Sequence, residues 1–145
     1  MLHEILDLEQ QCWDRAVQVD RDAVPVLLWL KEQGIKRAVC SNAPFPPEMM
    51  HRQVESNGIA QLMDVVLFSS QFGRRKPAPE IYRAALEAVG VAAERALFVG
   101  DRVREDYEGP RAIGMRAILC TAHASEIPAP GIPTIASLAE LPPLL

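Results

Sequence analysis

Five polar residues stand where the chain leaves apolar runs. Ser41 and Asn42 follow RAVC, Lys76 lies in Arg-Arg-Lys-Pro, and Asp101 and Asp106 punctuate the run GDRVRED. Two carboxylates can hold a hard divalent cation, while an ammonium and a hydroxyl can hold an anion. Each residue also has an ordinary structural role to fill. Asp106 can cap a helix, Asp101 and the Ser-Asn pair can shape turns, and Lys76 can be a solvated loop cation. Joint chemistry requires a fold that brings the five together.

The elements that would do so can be read from periodicity. Leu2, Ile5, Leu6, Cys12, Trp13, Ala16 and Val17 fall largely on one helical face, so the chain opens with an amphipathic helix. A second helix runs from Asp22, a fitting N-cap, through VPVLLWLKEQ to Gly34, which can close it in a left-handed conformation. IKRAVC reads as a buried strand stopping at Ser41-Asn42, and APFPPEMMHRQVESNG as a proline-started helix ending near Gly58. DVVLF, PEIYRAALEAVG and RALFVG continue as strand, helix and strand. A short helix through EGPRAIG, the strand RAILC and a proline-rich tail with a helical turn at ASLAEL complete the series.

This alternation predicts right-handed crossovers and a mainly parallel sheet. The runs AVC, VVLF, LFV and AIL are apolar without alternation, as in strands covered by helices on both faces. The fold class is therefore α/β, a Rossmann-like parallel sheet with helices on both faces. Ligands of such sheets gather at the carboxyl ends of the strands, and Ser41, Lys76 and Asp101 all follow strands there.

Composition narrows the function classes. At 145 residues the chain suits one domain, and its 49% apolar and 23% charged residues are ordinary for a globular protein. A net charge of −4 supplies no basic surface for nucleic acid. The longest apolar stretch, VPVLLWL, is far short of the roughly 20 residues of a membrane helix, and the first residues are acidic rather than a basic signal region. A cytoplasmic location is the expectation. Cys12, Cys40 and Cys120 show no CxxC or Cys/His metal spacing and read as reduced packing residues. His3, His51 and His123 form no ligand pattern and read as scattered surface histidines.

From about Asp22 to its end the chain resembles the core of the haloacid dehalogenase-like (HAD) hydrolase superfamily, especially its phosphoglycolate-phosphatase-like members. RAVCSNA resembles the second family motif, GRRKPAPEIYRAAL the third, and ALFVGDRVREDYEGPRAIGMRAIL the fourth. The resemblance implies Mg²⁺ held by Asp101 and Asp106, and a phosphate held by the Ser41 hydroxyl with Asn42 shaping its turn. It also implies Lys76 as the cation that neutralises phosphate and nucleophile, with Pro77 fixing the chain direction after it. Lys76 and Asp101 are the candidate catalytic residues. Arg74, Arg75, Arg102 and Arg104 stay outside the site.

The family's first motif, a central strand ending Asp-x-Asp whose first aspartate is the nucleophile, has no clear counterpart. Asp20-x-Asp22 in VQVDRDAV has the spacing but stands immediately before a helix, so both residues read as helix-capping, with Asp20 retained as a substitute nucleophile. On this alignment residues 1–20 are a cap remnant or swapped segment and residues 21–145 a HAD-like core lacking its first strand and most of the cap, the first motif lying upstream of Met1. The lost strand belongs between those ending at Cys40 and Val99, which leaves two bare edges. A homodimer formed through these edges or by exchange of the N-terminal helix is the expected assembly. Two functions follow from the resemblance: weak or promiscuous Mg²⁺-dependent hydrolysis of a small phosphoester, or a catalytically inactive core serving as a binding or dimerisation module.

Overall fold

The computed structural model describes residues 2–145, with side chains from residue 5 onward; Met1 and the side chain of His3 lie outside that description. Helix α1 (Leu2–Ala16) carries Leu6 and Gln10 on the face turned toward α3 (Pro47–Ser56). There Leu6 joins Phe45, Met49, Met50 and Phe68 in one apolar cluster. The Gln10 amide donates to the Met49 carbonyl, and Arg52 pairs with Asp7. Within one chain, then, α1 docks on its own α3. Pro47 starts α3 because proline lacks the N–H that a first turn leaves unsatisfied anyway.

Helix α2 (Ala23–Glu32) is closed by Gly34 at φ 70°, the left-handed conformation expected of it. Val26 and Leu30, four residues apart and so on one face, are buried against Ile118, Ile135 and Leu141. Burial of each such side chain is worth roughly 1.5–3 kcal/mol, so this face fixes α2 on the sheet. Helix α4 (Pro79–Val89) covers the opposite face with Ile81 and Tyr82 fully buried.

The strands are β1 (Ala38–Ser41), β2 (Val65–Phe68), β3 (Leu97–Gly100), β4 (Arg116–Cys120) and β5 (Thr134–Ile135). Every pairing is parallel, as expected of strands joined by helical crossovers. They form two sheets, however: β1 pairs β2 in the register Ala38↔Val65, and β3, β4 and β5 pair in that order. No ladder joins β1 to β3. The two sheets are nevertheless held side by side. Helix α4 packs on β1 and β2 while its Tyr82 ring meets Phe98 of β3 edge-on at 5.5 Å, and α2 reaches from its cluster on β3 and β4 to the turn Ala60–Leu62. The interruption falls between β1 and β3.

Several local expectations are adjusted. Residues 17–20, between α1 and α2, are irregular. Asp22 occupies the N-cap position of α2 but makes no capping bond; its carboxylate instead accepts from Ser137 Oγ at 2.6 Å. Asp106 is not an N-cap either. It lies inside a π-helical segment, Val103–Glu108, that runs into the four-residue helix α5 (Gly109–Ala112). Strand β5 was not anticipated, because Pro133 and the two residues Thr134–Ile135 offer too short a pattern to read. Ser41 ends β1 rather than following it.

Candidate functional site

Side chains alternate across β3, and this separates the site into two sides. Val99 packs in the α2 cluster, whereas Phe98 meets Tyr82 of α4 and Gly100 abuts Asp106. On the α4 side, Lys76 Nζ contacts Asp106 Oδ1 at 2.5 Å, with both side chains almost wholly enclosed at 10% and 4% exposure. The same ammonium lies 5.1 Å from the centre of the Phe98 ring. Asp106 Oδ2 accepts from the backbone N–H groups of Asp101 and Arg102, each at 3.1 Å. One carboxylate thus binds the lysine and shapes the turn after β3. An enclosed pair of this kind tolerates its desolvation because hydrogen bonds satisfy the remaining oxygen.

Asn42 holds the other end of Lys76. Its Oδ1 accepts from the Lys76 N–H at 2.7 Å and its Nδ2 donates to the Lys76 carbonyl at 3.2 Å, fastening the loop after β2 to the end of β1. The sequence suggested only that Asn42 shapes its own turn. Ser41, half-buried beside it, donates from Oγ to the Asn42 carbonyl at 3.3 Å, a long bond. Ser69 Oγ accepts from the Ala43 N–H at 3.0 Å, extending this belt of polar contacts around the carboxyl ends of β1 and β2. Cys40, one residue before Ser41, has its thiol pushed up to about 12 by burial; nearby Lys76 lowers it and Asp106 raises it. It is a neutral packing thiol, as read from the sequence.

Asp101 stands on the α2 side, half-buried, and its carboxylate has no hydrogen-bond or ion-pair partner among the described residues. It lines a small cleft of about 220 Å³ together with Asp20, Val99, Cys120, His123 and Leu138. Asp20 Oδ1 accepts from the Asp22 N–H at 2.8 Å, and Oδ2 lies 2.8 Å from His123 Nε2. Both contacts, the backbone one first, hold the Asp20 carboxyl below its ordinary pKa of 3.8. His123 is exposed, as expected of a surface histidine, but it is not solitary. Nothing in the sequence announces its partner, which is 103 residues away.

The structure thus brings Lys76, Asp106, Asn42 and Ser41 together around the interruption, and seats Asp101 beside Asp20. Arg74, Arg75, Arg102 and Arg104 are exposed. For a divalent cation, Asp101 and Asp106 offer donors of the right type, hard carboxylate oxygens, and Asp101 is unengaged. Magnesium commonly takes one or two carboxylates and completes its shell with water and phosphate; Asp101 is available for it, whereas both Asp106 oxygens are taken by Lys76 and by the Asp101 and Arg102 N–H groups and would have to be released. Among the described residues no group of three or more His, Cys, Asp or Glu side chains could hold a metal.

Comparison with known proteins agrees with this architecture. A family model for haloacid dehalogenase-like hydrolases matches residues 3–114, and the chain belongs to that family. It is 34% identical over 97 residues to a phosphoserine phosphatase of Thermus thermophilus, covering 67% of this chain and 38% of that protein. It is 31% identical over 94 residues to a glyceraldehyde 3-phosphate phosphatase of Methanopyrus kandleri, covering 65% of this chain and 40% of that one. Among solved structures, a HAD phosphatase from Thermococcus onnurineus superimposes with a TM-score of 0.83 at 24% identity, over 96% of this chain and 63% of its own, a likeness of fold. The chain spans about two-fifths of the length of these two curated relatives.

Proposed function

We propose that the chain is a phosphatase-type hydrolase acting weakly or promiscuously on small phosphorylated substrates, at the site formed by Ser41, Asn42, Lys76, Asp101 and Asp106. The observation that carries this reading is that Asn42 and Asp106, from two other connections, both fasten Lys76, Asn42 by its backbone and Asp106 by its ammonium. Phosphatase relatives support the substrate class. In this reading Asp101 and Asp106 hold a divalent metal, Mg²⁺, which would offset phosphate charge and orient the ester.

The chain's own groups do the rest. Lys76 supplies positive charge against the transferring phosphoryl group, worth a few kcal/mol at about 4 Å and an effective dielectric near 20. Asn42 positions the lysine through its backbone, and the Ser41 hydroxyl donates to a phosphate oxygen. Either water held by the metal or Asp20, which lines the Asp101 cleft, would stand in for the nucleophile. Turnover that survives Asp20→Asn would pass that role to water. Loss of the family's nucleophile ordinarily costs several orders of magnitude in rate, which is why slow turnover is expected. Hydrolysis of a phosphoester panel, measured with and without Mg²⁺ and in Asp20→Asn, tests the assignment.

The open edges of β1 and β3 favour a second reading, an inactive core that serves as a binding or dimerisation module. Residues 1–20 would then act as the exchanged segment and residues 21–145 as the core that receives it. No phosphoester cleaved above the buffer rate, together with a dimeric mass, would decide for that reading. A cytoplasmic setting suits either one, since the three cysteines are free. No helix among the described residues is long and apolar enough to cross a membrane.

A further inference from the structure

The turn that carries Asp106 has an acceptor that its own backbone does not satisfy. In the π-helical segment Val103–Glu108 the Gly109 N–H donates to the Arg104 carbonyl, five residues back. The next carbonyl of that ladder, Glu105, would need the N–H of residue 110, and Pro110 has none. A carbonyl drawn away from water without a donor is costly. The Tyr82 hydroxyl of α4 supplies the bond, donating to the Glu105 carbonyl at 2.5 Å. We propose that Tyr82 is a positioning residue for the Lys76–Asp106 pair, its hydroxyl fixing the peptide that carries Asp106 and its ring bracing the aromatic ring beneath Lys76.

The Glu105 C=O and the Asp106 N–H are the two ends of one planar peptide. Tyr82 holds the first end and the Arg102 carbonyl accepts from the second at 2.8 Å, so the backbone bearing the Asp106 carboxylate is fixed on both sides. The hydroxyl also has room kept for it: a Cβ on Gly109 would lie 2.3 Å from the Tyr82 oxygen. Tyr82 is fully buried, and burial is the chief cause that raises its pKa, so it keeps its proton and stays the donor. Its ring meets Phe98 edge-on at 5.5 Å, and the centre of the Phe98 ring lies 5.1 Å from the Lys76 ammonium. One side chain on α4 thus touches the supports of both members of the pair.

Tyr82→Phe keeps the ring and removes only the hydroxyl. Amide hydrogen exchange of the intact chain, followed by NMR, reads the consequence at Asp101 and Arg102, whose N–H groups are held by Asp106 Oδ2. Both should exchange on the order of fivefold to tenfold faster, the factor that one hydrogen bond is worth. The Asp64 N–H, bonded to the Arg37 carbonyl beside the other sheet, should be unchanged. Adding Pro110→Ala gives the Glu105 carbonyl a backbone donor and should bring both rates back toward the parent values. A general loss of packing would deepen instead, because Pro110 is itself fully buried. Gly109→Ala, which crowds the hydroxyl while keeping the tyrosine, should reproduce the selective rise. Unchanged rates at Asp101 and Arg102 in Tyr82→Phe or Gly109→Ala overturn the proposal, as does an equal rise at Asp64 or a further rise on adding Pro110→Ala. The bearing of Tyr82 on hydrolysis rests on the proposed phosphatase site, but amide exchange needs no turnover. Its failure and the failure of the hydrolase reading are therefore distinguishable.

Discussion

Gly100 and Asp106 compete for the same space: a Cβ on Gly100 would lie 2.3 Å from Asp106 Cγ and 2.4 Å from its Oδ2. The carboxylate can fold back over the end of β3, and take the N–H groups of Asp101 and Arg102, only because residue 100 lacks a side chain. Gly100→Ala should therefore push Asp106 off both amides and away from Lys76. A loss of about 3 kcal/mol or more in urea unfolding is expected, the range for a disrupted enclosed polar network. A stability within error of the parent chain would show that the carboxylate has another place to go.

Lys76 and Asp106 should behave as one unit. Lys76→Met leaves an enclosed carboxylate without its countercharge and should cost about 3 kcal/mol or more, whereas adding Asp106→Asn should recover part of that loss. A double-mutant cycle in denaturant measures the coupling. Strictly additive losses would mean that the pair is not coupled.

Asn42→Ala removes both clamps on the Lys76 backbone at once. The expected loss is about 1–3 kcal/mol, one or two hydrogen bonds in a partly buried setting, with hydrolysis falling further than stability alone explains. Asn42→Asp keeps the acceptor for the Lys76 N–H but loses the donor to its carbonyl, and should lie between the two.

Alkaline pH should weaken the fold. The Cys40 thiol is raised from 9.0 to about 12, and the Tyr82 hydroxyl is likewise raised, in both cases chiefly by burial. The unfolded chain releases the thiol proton first, so the stability from burying neutral groups is intact below about pH 9 and declines as pH climbs toward about 12. Cys40→Ala should flatten part of this decline in a series of urea titrations. An unchanged slope would contradict the assigned cause.

The α/β class with parallel strands and the helix ends at Gly34 and Gly58 were legible because each rests on local signals: apolar runs and glycines that adopt positive φ. What could not be read was long-range and made by single side chains. Asn42 grips a backbone 34 residues away, His123 meets Asp20 across 103, and Ser137 reaches Asp22 across 115. No period marks such partners. Asp106 was read with the wrong local geometry, since a π-helical turn carries no propensity signal distinct from an ordinary helix start.

The open edges of β1 and β3 should show in solution. On the dimerisation-module reading, sedimentation across micromolar concentrations gives a dimer whose fraction rises with concentration, and deletion of residues 1–20, which must leave their own α3 to exchange, abolishes it. A monomer throughout that range would remove exchange of α1 as the way the edges are satisfied.

The central claim, that these residues form a metal-dependent phosphoester site, is tested most directly by Mg²⁺-dependent hydrolysis of p-nitrophenyl phosphate in the parent chain and in Asp101→Asn. Asp101 has no side-chain partner among the described residues, so the substitution should leave urea stability within about 0.5 kcal/mol. The account predicts a slow rate above buffer that requires the metal and vanishes in Asp101→Asn. A parent chain with no rate above buffer, or a rate that Asp101→Asn leaves unchanged, would contradict it.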